Sequence, residues 1–175
     1  EDLRKLVTKM AIQQGLAKPV ERPKTTQNRE KGKEDGILKS QKILLTWLIE
    51  DEAIFRQIER YITPEDFSEG LYRKVAELVY EQYREHTVNP AQIMNHFTDE
   101  EEHREVAGLF HTKIKELTTV KEQEKALMET VVRVKSHSIE EATRHLDATD
   151  ISGLQRLMDA KRKLQDLQKL HISIN

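Results

Sequence analysis

Glu100 and His103 are the pair whose types and spacing match metal chemistry. An E-x-x-H unit places a carboxylate and an imidazole on one helix face, the arrangement with which helical bundles hold paired iron or manganese ions. Such centres take the unit from two helices, and no other of the seven histidines follows a glutamate by three residues. Glu100, Glu101 and Glu102 therefore read as the acidic first turn of a helix, placed where the helix dipole favours negative charge. The chain has no cysteine, hence no thiolate nucleophile, thiolate metal site or disulfide. It also has no glycine-rich phosphate loop, no G-x-S-x-G elbow and no dinucleotide fingerprint. His137 and His145 fall near or on an apolar helix seam and read as polar packing, and Trp47 reads as a core residue or shielded anchor. No catalytic residue, cofactor or metal is assigned.

Composition narrows the class. Of 175 residues, 34% are charged and 37% apolar, with a mean hydropathy of −0.72, a balance suited to helices that each bury one stripe. No apolar run approaches the roughly 18 residues of a membrane span, and no signal peptide opens the chain, so a cytoplasmic location is expected. The first residue is glutamate, which suggests a piece of a longer protein. Residues 1–36 carry a net +3, leaving −5 for residues 37–175. A nucleic-acid module presents a basic face instead, so no direct nucleic-acid binding is expected of the folded part.

The elements follow from periodicity. Residues 1–18 place Leu3, Leu6, Val7 and Met10 on one helical face, and residues 19–36, with two prolines and almost no apolar side chain, read as a flexible linker. From Ile37 the helical period dominates, giving an expected bundle over 37–118. Leu38, Leu45, Leu48 and Ile49 mark one face, Ile54, Phe55, Ile58 and Ile62 a second, and Leu71, Val75, Leu78 and Val79 a third. Asp51 and Asn89 are expected N-caps, with capping boxes at Thr98–Glu101 and Thr119–Glu122. "TPEDF", Thr63 to Phe67, reads as a corner between helices, because proline pushes the preceding residue out of the α region and Phe67 can plug the bend.

Residues 119–175 predict a long helix and an antiparallel helical hairpin. Leu127, Val131, Val134, Ser138, Ala142 and His145 form one seam; Gly153, Leu157, Ala160, Leu164, Leu167 and His171 form its partner, with Asp150 as cap between them. Ile151, Leu154 and Met158 lie well off that seam, continued by Lys161, Arg162, Gln165 and Lys169. This second face must pack on the bundle or serve another protein.

The segment "LKSQKILLTWLIEDEAIFRQIERYITPEDFSEGLYRKVAELVYEQY", with the terminal "AKRKLQDLQKLHISIN", resembles the C-terminal helicase-interaction domain of bacterial DNA primase over residues 37–175. The pattern is shared with the N-terminal domain of the replicative helicase; the basic segment ahead of it and the hairpin after it favour primase. The resemblance implies an all-α fold, a multi-helix bundle followed by a long helix and a C-terminal antiparallel hairpin. It also implies that residues 1–18 end a primer-synthesising RNA polymerase domain, a nucleotidyltransferase. The bundle would then modulate the hexameric replicative helicase while the hairpin docks on its N-terminal domains. On that implication Leu146, Ile151, Leu154 and Met158 are the expected apolar anchors, with Lys161, Arg162 and Lys169 as their polar rim. Rival readings are a self-associating helical module, pairing weakly through the hairpin, and a metalloenzyme of the helical-bundle type.

Overall fold

A computed structural model describes residues 26–85, 88–111 and 119–174, with side chains from residue 32 onward. The terminal helix expected over residues 1–18 lies outside the described residues. The described chain is all-helical: α1 Thr26–Glu50, α2 Glu52–Ile58, a 3-10 turn Pro64–Asp66, α3 Leu71–Glu85, α4 Pro90–Met94, α5 Glu100–His111, α6 Val120–Arg144 and α7 Ile151–Lys169. None of these helices is long and apolar enough to cross a membrane.

Local chemistry accounts for most of the boundaries. Asp51 accepts the Ala53 and Ile54 amides at 2.8 and 3.3 Å, and Asn89 accepts that of Gln92 ahead of Pro90, so both side chains satisfy amides that a helix start leaves free. The Thr119–Glu122 box closes in both directions, at 3.2 and 3.3 Å. At the start of α5 the cap is Asp99 and not Thr98: its carboxylate takes the Glu101 and Glu102 amides, each at 3.0 Å. A carboxylate accepts more strongly than a hydroxyl, so the better acceptor sets the frame. α1 begins at Thr26, ahead of the expected domain start at Ile37, although its described side chains at 32–35 are exposed. Lysine and glutamate are good helix formers, and once Ile37 and Leu44 are anchored a polar stretch extends the helix at little cost.

α1 contributes to the core from several positions around its axis. Leu44, Leu45, Trp47 and Leu48 are buried on it, together with Gln41 and Thr46, so more than one face is covered; Leu38, expected on its apolar face, is exposed. The same core cluster takes Ile54, Phe55 and Ile58 of α2, Val75, Val79, Tyr80 and Tyr83 of α3, and Val106 and Leu109 of α5. Phe55 stacks on Tyr83 at 4.2 Å and meets Tyr80 edge-on at 4.8 Å. The two buried phenols donate to backbone carbonyls, Tyr80 to Ile62 and Tyr83 to Leu48, at 2.5 and 2.6 Å.

The corner at Pro64 is structural. Phe67 is buried, as its plug role requires, and Asp66 is buried too: it accepts the Thr63 amide at 2.9 Å and forms an ion pair of 2.9 Å with Lys135 of α6. Gln41 completes the join with a reciprocal pair of bonds, donating to Ser68 Oγ and accepting the Ser68 amide. The long helix is thus pinned to the bundle through this corner. α6 and α7 pack as a hairpin, and one continuous core takes Leu127, Val131, Val134, Leu167 and Ile172 together with the side chains of α1–α5.

Candidate functional site

The outer face of α7 is the surface the fold leaves uncovered. Gly153, Leu157 and Leu167 point inward and are buried, while Ile151 (71% exposed), Leu154 (39%) and Met158 (68%) stand on the other side at spacings of three and four. Val120 and Leu38 are the other large apolar side chains exposed among the described residues, and both stand singly on other helices. An isolated exposed apolar residue is ordinary; three in helical register on one face form a patch. Toward the C-terminal end the same face becomes cationic, with Lys161, Arg162 and Lys169 all exposed. α7 carries five basic side chains against Asp159 and Asp166, and helical spacing rotates both acids off the patch.

The turn that presents this face is built from carboxylates. Asp147 accepts the amide and hydroxyl of Thr149 at 2.8 and 2.7 Å, and these bonds hold its carboxyl below the usual range. Asp150 caps α7 by accepting the Gly153 amide at 2.8 Å. Gly153 is required by close approach: a Cβ there would lie 2.7 Å from Leu146 Cδ1 and would also meet the Asp150 carboxylate. Leu146 is half-buried, with its Cδ1 close to Gly153 in this turn.

The structure places the expected seam only in part. Leu127, Val131 and Val134 are buried, but Ala142 and His145 are exposed, and Ile139 takes the last inward position of α6. A straight α-helix drifts from a strict heptad repeat, which shifts the contact by one residue near the turn. His171 also lies outside the seam, because α7 ends at Lys169, Leu170 turns to an extended conformation and residues 171–174 are not helical. The four-residue step from Leu167 carried the expected helical seam on to His171, although an alternation of apolar and polar residues is visible in "LHISI".

Elsewhere the described residues hold no group of three or more histidine, aspartate or glutamate side chains placed to bind a metal ion. Glu100 lies 3.7 Å from Arg104 in an exposed pair, and His103 faces solvent. Lys42, Tyr72 and Glu105 join α1, α3 and α5: Glu105 accepts the Tyr72 hydroxyl at 2.8 Å and the Lys42 ammonium at 3.1 Å. These bonds, the phenol's first, lower the Glu105 carboxyl, while burial and then Glu105 push the Tyr72 phenol up. Every group in this cluster is partnered within the fold. Compared with protein-family models, curated proteins and solved structures, the chain finds no match.

Proposed function

We propose that this chain is a protein-docking module, the helicase-interaction domain of a bacterial DNA primase, acting in the cytoplasm at the replication fork. The observation that carries the reading is the patch of Ile151, Leu154 and Met158 on a helix whose opposite face is already committed to the core. Lys161, Arg162 and Lys169 border it as an exposed rim that sets orientation and encounter rate more than affinity. Leu146 contributes from the turn with the surface its own packing leaves over.

The partner is the hexameric replicative helicase, met through its N-terminal domains. The mechanism is recruitment: holding a primer-making enzyme beside its template raises its effective concentration without chemistry at the docking site. No catalytic residue of this segment takes part.

Calorimetric titration of the chain into the replicative helicase of the same organism tests the reading. Leu154→Ala with Met158→Ala is expected to weaken binding about 10- to 100-fold, the loss typical of central apolar anchors, with helicity and melting nearly unchanged. A folded, monomeric chain that does not bind the helicase would remove the primase assignment. A mass that rises with concentration in sedimentation of the chain alone would support the self-associating module.

A further inference from the structure

After α7 the chain does not leave the fold. Leu170, Ile172 and Ile174 turn toward the core and Ile172 is almost fully buried, whereas His171 and Ser173 between them are exposed. That alternation has the period of two of an extended strand. Gln57 of α2 treats the segment as a neighbouring strand would: its amide nitrogen donates to the Ser173 carbonyl at 2.9 Å, and its amide oxygen accepts the Ser173 N–H at 3.0 Å. Glu124 of α6 accepts the next amide, that of Ile174, at 3.1 Å. The segment therefore lies between two helices that supply its backbone partners and the apolar surface for alternate side chains.

The Gln41–Ser68 clasp gives a comparison within the same molecule. It is also reciprocal, with the Ser68 hydroxyl in place of a carbonyl as acceptor, but Gln41 is wholly buried, so opening it would require the bundle to open. The two Gln57–Ser173 bonds are solvent-exposed. Exposed bonds around a short non-helical segment open locally at a small fraction of the cost of global unfolding.

We propose that Leu170–Ile174 is a detachable strap, and that the surface between Gln57 and Glu124 is the receptor groove for this one segment. Seated, the strap ties the end of α7 to α2 and α6. Released, it loosens the last turns of α7 while α1–α5 stay folded, and the emptied groove accepts the same sequence supplied as a separate peptide. This inference does not depend on which partner the outer face of α7 meets.

Native-state hydrogen exchange resolved by residue, on the whole chain and on its Ile172→Ser and Gln57→Ala variants, tests it. Losing the inserted side chain or the clasp is expected to speed exchange at Ser173, Ile174 and the last turn of α7 by about tenfold or more, with α1 and α3 unchanged. A peptide of residues 168–174 added to Ile172→Ser is expected to shift the Gln57 side-chain amide resonances and to protect the groove; a peptide with the same Ile172→Ser change is not. Exchange that accelerates equally through α1 and α3 would make the segment part of the global core and overturn the strap. Unchanged exchange in both variants would overturn it as well, and an added peptide that leaves Gln57 unaffected would overturn the receptor groove.

Discussion

Asp66 and Lys135 form the one ion pair among the described residues with both side chains about 5% exposed. Removing two charges from water costs more than an exposed pair regains, and here the Thr63 amide supplies Asp66 with a further donor. Lys135→Met alone is expected to cost about 3–5 kcal/mol in denaturant unfolding, because it strands a buried carboxylate. Adding Asp66→Asn should recover most of that loss, since the amide oxygen still accepts from Thr63 and no charge is left. The phenols make a second residue-scale prediction. Burial, with carboxylates nearby, pushes Tyr83 from 10.0 up to about 12 and raises Tyr80 and Tyr72 as well. Their folded values exceed the unfolded one, so the stability they contribute is complete below pH 10 and is lost as pH climbs toward 12 and beyond. Phenolate absorbance and helical circular dichroism of a Tyr61→Phe variant, which keeps only these three tyrosines, should change as one transition; phenolate formation well before helix loss would contradict this.

At the scale of elements, the two faces of α7 should respond in opposite ways. Leu167 is wholly buried, so Leu167→Ala is expected to cost about 2–5 kcal/mol, whereas Leu154→Ala on the exposed side should stay within about 0.5 kcal/mol in thermal melts. The hairpin turn depends on Gly153. Gly153→Ala would force either Leu146 or the Asp150 cap to move, and losing the cap costs about 1 kcal/mol. Gly36→Ala is the control: nothing lies within 4 Å of the added Cβ in mid-helix, so a gain of about 0.5–1 kcal/mol is expected. The helix caps were legible in advance because Asp51, Asn89, Thr119 and Asp150 act on amides two or three residues away. The exchange of Thr98 for Asp99 shows the margin of such readings: two adjacent cap formers compete, and the stronger acceptor wins.

At the scale of the molecule, residues 34–174 fall within a single compact unit whose core crosses from bundle to hairpin. A chain ending near Ser138 would lose Leu167 and Ile172, which lie at 0% and 2% exposure in that core. Such a truncation is expected to lower the melting temperature of what remains, so loss of partner binding by it would not separate docking from folding. Point substitutions on Leu154 and Met158 keep the two apart.

Helical periodicity determined the all-α class, most inward faces and the uncovered side of α7, because these follow from spacing along one helix and from where apolar side chains run out. Tertiary structure alone decided the Asp66–Lys135 pair, the Gln41 and Gln57 clasps and the burial of Ile172. Each joins residues from 27 to 116 positions apart or depends on such a join, and a side chain's partner at that distance leaves no period in the sequence. Gln41, Asp66 and Lys135 are polar yet buried, and they can be so because another element supplies each with a hydrogen-bond partner, which only the folded chain brings within reach.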